Sequence, residues 1–196
     1  MKRSPISRVF LALLLAFAIP LLLAIFFVYR GSWPGMQVNK GHLYHPAIQM
    51  GDLPWKSIDG KPFLWKNNAQ NKWLMVYVIP PECDELCKKT IYHLHQVQIA
   101  LNKDQEQFQR VLLFVSPTTT KNIKLITEDH YAQGAQRLRL SPEAFARLAL
   151  PEHERIFILD PAQWLVLGYT QEANPSDILK DLQRLMRAFH LGHNKT

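Results

Sequence analysis

The chain has 196 residues, 47% of them hydrophobic, which is enough apolar surface for one substantial core plus an apolar segment but not for two full domains, and which excludes a disordered chain. The net charge of +7 invites a nucleic-acid reading, but four of the 23 Lys and Arg residues (Lys2, Arg3, Arg8 and Arg30) flank a single apolar run. The other 19 stand against 16 acidic residues and are interspersed with them, so no nucleic-acid partner is expected.

That apolar run, Phe10 to Tyr29, is uncharged and long enough to cross a bilayer as a helix, with Pro20 tolerated in mid-span. The positive residues before it predict a cytoplasmic N-terminus at 1–9, a transmembrane helix at 10–29 and an exported C-terminal part. Trp33 is placed to anchor at the interface. A cleaved signal peptide is the rival reading, but the run exceeds a signal-peptide core and no small-residue cleavage site follows it. The expected location is the inner (cytoplasmic) membrane, single-pass, with the C-terminal domain periplasmic or extracytoplasmic. Residues 30–50 show no period and read as linker, with His42 and His45 as solvated loop histidines. The exported domain is expected over 51–196.

Within that domain, Ile58-Asp59-Gly60-Lys61-Pro62 supplies turn chemistry for a small hairpin between Leu53 and Trp65. Trp73 to Ile79 is a β-branched and aromatic run that stops at Pro80-Pro81. A stretch free of Gly and Pro follows, so the pattern predicts strand, turn and helix, with both cysteines of the chain, Cys83 and Cys87, at the first helical turn. There the helix dipole favours a thiolate. At i and i+4 the two sulfurs share a face, which suits a soft ion such as Cu(I) or a disulfide in an oxidising compartment. His93 and His95 lie further along the same helix and read as surface or packing residues.

Arg110 to Ser116 reads as a strand buried on both faces. Lys121 to Leu140 is ambiguous, with some helical spacing broken at Gly134. Ser141-Pro142-Glu143 predicts a capped short helix to about Leu148. Arg155–Leu159 and Trp164–Tyr169 predict two strands joined at Asp160-Pro161-Ala162-Gln163. Asn174-Pro175-Ser176-Asp177 opens a last helix whose apolar residues, Ile178 to Phe189, recur at three and four. The whole predicts an α/β fold: a thioredoxin-like sheet flanked by helices, preceded by one transmembrane helix.

This arrangement resembles the Sco family of membrane-anchored, thioredoxin-like proteins. The features that carry the resemblance are the anchor, Cys83-x-x-x-Cys87 after a hydrophobic strand, and His153 seven residues before Asp160-Pro161. It covers about Leu53 to Phe189, with Asp84 and Lys88 standing where the family has prolines. The resemblance implies a divergent relative: a factor in cytochrome c oxidase biogenesis, binding copper or exchanging thiols through Cys83 and Cys87, with His153 as third copper ligand. Its expected partners are the membrane and a cytochrome c oxidase subunit or another assembly factor. Two further readings stay open: a thiol-disulfide oxidoreductase of the exported compartment with Cys83 and Cys87 as its redox dithiol, and a non-catalytic membrane scaffold.

Overall fold

The structure, a computed structural model, describes residues 5–30, 39–65, 71–115 and 120–193, excepting the side chains of 5–8, 27–30, 120–122, 127 and 190–193. The flanking residues Lys2, Arg3 and Trp33, the start of the expected linker and the end of the Arg110–Ser116 strand at Ser116 lie outside the described residues. Two compact units result, Met1–Val38 and Asn39–Thr196. The first contains helix α1 (Pro5–Arg30), in which Val9–Phe26 is long and apolar enough to cross a membrane, with none of that window buried.

The second unit is built on a seven-stranded sheet in the order β1-β7-β6-β3-β4-β5-β2. At its centre lies β3 (Trp73–Ile79), the predicted run, buried at every residue because the sheet is covered on both faces. Its odd-numbered residues, Trp73, Met75, Tyr77 and Ile79, face one core, and Leu74, Val76 and Val78 face the other. β3 pairs in parallel with β4 (Phe108–Val115) through the crossover helix α2 (Glu85–Ala100). β4 pairs in parallel with β5 (Gln136–Leu140), and β5 meets the two-residue β2 (Lys56–Ser57) antiparallel. On the other side β3 pairs antiparallel with β6 (Glu154–Leu159), which forms the predicted hairpin with β7 (Trp164–Thr170).

Helix α2 lays Cys87, Thr90, Ile91, Leu94 and Val97 on the first core. There it meets Ile178, Leu182 and Met186 of the last helix, α5 (Pro175–His193), so the predicted apolar stripe is the buried one. Asn174 Oδ1 accepts from the Ser176 amide at 3.0 Å at the start of that helix. Ser141 caps helix α4 (Pro142–Ala146) as predicted, accepting from the Ala144 amide at 3.2 Å, but the helix ends two residues before Leu148.

Three expectations change. His42–Gln49, expected as linker, is the edge strand β1, antiparallel to β7. It has one strand neighbour, its residues are half-buried or exposed without alternation, and Pro46 has no amide to donate, which an edge tolerates. The ambiguous Lys121–Leu140 segment resolves into helix α3 (Thr120–Glu128), a short 3-10 turn at His130–Ala132 and strand β5. Polar residues alternate through β5 because it lies near the sheet margin, with only Leu138 and Leu140 buried. The expected hairpin shrinks to a tight turn in which Lys56 bridges Pro62 and Gly60 adopts φ +83°, a conformation that favours glycine.

Candidate functional site

The proline break ends β3, and the chain turns directly into α2. Asp84 is the N-cap of that helix, its Oδ1 accepting from the Cys87 amide at 2.8 Å. Cys83 therefore precedes the cap instead of riding on the helix, which corrects the expectation that both cysteines occupy its first turn. The two are joined as a disulfide with Cα atoms 5.2 Å apart. Cys87 is fully buried against Ile91 and the β3 residues, while Cys83 is half-buried at the surface of that core. A partner arriving from solvent would meet Cys83 first. Beside this corner a cleft of about 420 Å³ runs between α2 and the turn after β7, lined by Leu86, Lys89, Thr90, His93, Glu172 and Asn174 among others.

His153 lies at the same end of the sheet. The antiparallel register of β3 and β6 pairs Tyr77 with Ile156, and continuing it brings Pro80, just before the cysteine loop, level with His153. The side chain is exposed, however, and lines a different cleft of about 350 Å³ together with Lys40, His42, Glu154, Asn174 and Asp177. Among the described residues no three His, Cys, Asp or Glu side chains come together as a metal site. The structure thus joins Cys83 to Cys87 and places His153 in the cleft with His42 and Glu154. Oxidised, the two sulfurs offer no thiolate; reduced, they are a soft pair of the kind Cu(I) accepts.

The cleft at His153 contains what sequence reasoning missed. Glu154 is buried, and its carboxylate accepts from the Tyr44 hydroxyl at 2.5 Å and pairs with His42 Nδ1 at 2.8 Å. His42 is therefore partnered, and the solvated-loop reading of it is corrected. Burial, then the hydrogen bond and charge of Glu154, push the Tyr44 phenol well above its ordinary range. Gly168 makes room for the carboxylate, since a Cβ there would lie 1.9 Å from Glu154 Oε2. A second buried carboxylate, Asp181 on α5, accepts from the backbone amides of Lys40 at 2.6 Å and Gly41 at 3.1 Å and from the Tyr169 hydroxyl at 3.1 Å. Arg110, also buried, bonds Gln98 and donates to the Tyr131 and Gln133 carbonyls at 2.7 and 2.8 Å, and burial lowers its pKa to about 10. The legible signal was a charged residue in phase with a buried stripe: Asp181 falls three residues after Ile178 and four before Leu185.

Farther along α2, His95 packs on Tyr131 with ring centroids 5.7 Å apart, as the packing reading of it implies. Burial, with Arg110 and His130 nearby, lowers its pKa.

Similarity to known proteins follows the same outline. The family described as transmembrane-like, thioredoxin-like, C-terminal domain matches residues 73–188. The chain is similar in fold to apo Sco1 from Thermus thermophilus, at 21% identity and TM-score 0.58, over 78% of this chain and 99% of that one. Yeast Sco1 is similar at 13% identity and TM-score 0.57, over 71% and 95% of the two chains. Arabidopsis thaliana ScoI with copper bound is similar at 16% identity and TM-score 0.54, over 69% and 96%. No curated protein matches the sequence. The thioredoxin-like fold expected from the strand order is thus shown, and the likeness to the Sco structures is one of fold.

Proposed function

The chain belongs to the family of transmembrane-like, thioredoxin-like C-terminal domains, and from that premise we propose that it is a membrane-anchored, Sco-like factor of cytochrome c oxidase biogenesis working through Cys83 and Cys87. Helix α1 anchors it in the inner membrane, and the domain acts on the extracytoplasmic side upon an oxidase subunit or another assembly factor. The observation that carries the reading is the cysteine pair itself: a half-buried sulfur before the N-cap and a buried one inside the first helical turn, at the end of the central strand. That asymmetry suits exchange, in which the accessible sulfur is attacked and the inner one leaves.

Exchange with a partner dithiol is the first reading. Full-length chain in detergent, equilibrated with glutathione buffers and trapped by alkylation, should show a midpoint within the range of about −270 to −120 mV found for exchangers. A midpoint below about −300 mV marks a structural bridge and overturns it. Copper as cargo is the second reading, supported by the soft donor pair and by the fold likeness to the copper-bound plant ScoI. The reduced chain should then hold about one Cu(I), and undiminished binding in Cys83→Ala/Cys87→Ala would remove copper from the reading. His153→Ala tests the third ligand: unchanged affinity excludes it.

A further inference from the structure

The residue that caps α2, between the two cysteines, is an acid. The positive end of a helix favours a thiolate, and a carboxylate placed on that end takes the advantage away. Asp84 holds this place, its Oδ1 accepting from the Cys87 amide at 2.8 Å. That amide nitrogen and the Cys87 sulfur belong to one residue, so covalent geometry keeps the carboxylate within about 7 Å of the sulfur. On its other side Asp84 follows Cys83 directly in the chain, and Cys83 is the disulfide partner. Its charge is also uncompensated. Among the described residues no Lys, Arg or His forms an ion pair with Asp84, whereas the neighbouring Glu85 pairs with Lys88 at 2.7 Å. Asp84 is exposed, so its field is screened by solvent and salt.

We propose that Asp84 holds the Cys83–Cys87 pair in its disulfide form, as a positioning residue whose cap bond keeps a negative charge beside the sulfur that must leave. The inference rests on the thiol-exchange reading. A thiolate of the partner dithiol attacks Cys83 Sγ, the S–S bond breaks, and its electron pair goes to Cys87 Sγ, which becomes a thiolate and then takes up a proton. The second partner thiol, once deprotonated, attacks the partner's own sulfur in the mixed disulfide. Cys83 is released as a thiolate and is protonated in turn. The partner departs as a disulfide, oxidised by the two electrons that the Cys83–Cys87 pair has gained. Attack and departure both bring negative charge next to the Asp84 carboxylate. The disulfide therefore opens more slowly than it would at a neutral cap, and the opened pair is disposed to give its electrons back.

The test is the rate at which dithiothreitol opens the disulfide of the full-length chain in detergent at low ionic strength. Asp84→Asn and Asp84→Ser keep a capping oxygen without the charge, so their oxidised forms should melt with the wild type. Their disulfides should open about threefold faster, the effect of one charge at that range in a water-like dielectric. The acceleration should vanish in about 1 M salt, where the screening length falls to about 3 Å. Glu85→Gln, which removes a charge already paired with Lys88, should open at the wild-type rate. Unchanged rates in both neutral caps, an acceleration that persists in high salt, or an equal acceleration in Glu85→Gln overturns the proposal. A neutral cap that melts lower is judged on salt alone, since a loosened helix opens faster at any ionic strength. A wild-type midpoint as low as that of a structural bridge removes the exchange reading instead. The opening rates need no physiological partner and then still decide the role of Asp84.

Discussion

Cys83 and Cys87 stand four residues apart and are brought together by one loop and one helical turn, whereas Glu154 takes its partners Tyr44 and His42 from 110 and 112 residues upstream. Both regions bury reactive or charged groups at the edges of β3 and β6. The cysteine corner is local: strand, proline break and N-cap assemble it whatever the rest of the sheet does. The Glu154 cluster exists only once β1 has paired with β7 and β7 with β6. Chemistry of the first kind tolerates change of state, as an exchanging disulfide must. Chemistry of the second kind holds the edge strand to the domain, and Asp181 does the same for Lys40 and Gly41 just before it.

The comparison breaks most readily at Glu154. Glu154→Ala leaves the Tyr44 hydroxyl and His42 without their acceptor and is expected to cost about 3 kcal/mol, read from urea unfolding, with proteolysis increasing at β1. A cost below about 1 kcal/mol would mean that the cluster does not hold the edge. Removing the disulfide by Cys83→Ser/Cys87→Ser should cost less, about 2 kcal/mol, because the loop it closes is only a few residues long. A larger loss would show the pair to be chiefly structural.

Asp84→Ala separates the cap from the sulfurs. It should cost about 1 kcal/mol of stability through the lost bond to the Cys87 amide, measured by thermal unfolding of the oxidised chain. The smallest effect concerns pH. His95 has a folded pKa lowered by burial and by Arg110 and His130, so the unfolded chain binds its proton first as pH falls through about 6.5. Stability should therefore decline from there down to the folded pKa, and His95→Gln should flatten that part of the profile. An unchanged slope would assign the titration to other groups.

Most of the architecture was legible because it rests on short-range patterns. The unbroken run of β3 and β4, the Ser141-Pro142 start of α4, the Asp160-Pro161 hairpin and the three-and-four spacing of α5 each state a burial preference within a few residues. Strands β1 and β5 were not legible, since β1 is half-solvated without alternation and β5 buries only Leu138 and Leu140 in five residues, too short a pattern to tell from helical spacing. The short helix was misjudged by two residues because Arg147 and Leu148 still donate turn-like bonds beyond its last helical residue.

At the site, the sequence alone determined that two cysteines follow a buried strand at the start of a helix, and that an apolar segment precedes the domain, because both are properties of contiguous residues. Tertiary structure decided the rest. It buried Cys87 within the core, set His153 in one cleft with His42 and Glu154, and gave the buried Glu154 and Asp181 carboxylates their partners from the start of the domain. The reason is physical: a side chain's neighbours across a sheet depend on register and strand order, which long-range closure selects, while helix starts and apolar runs are set by the local chain.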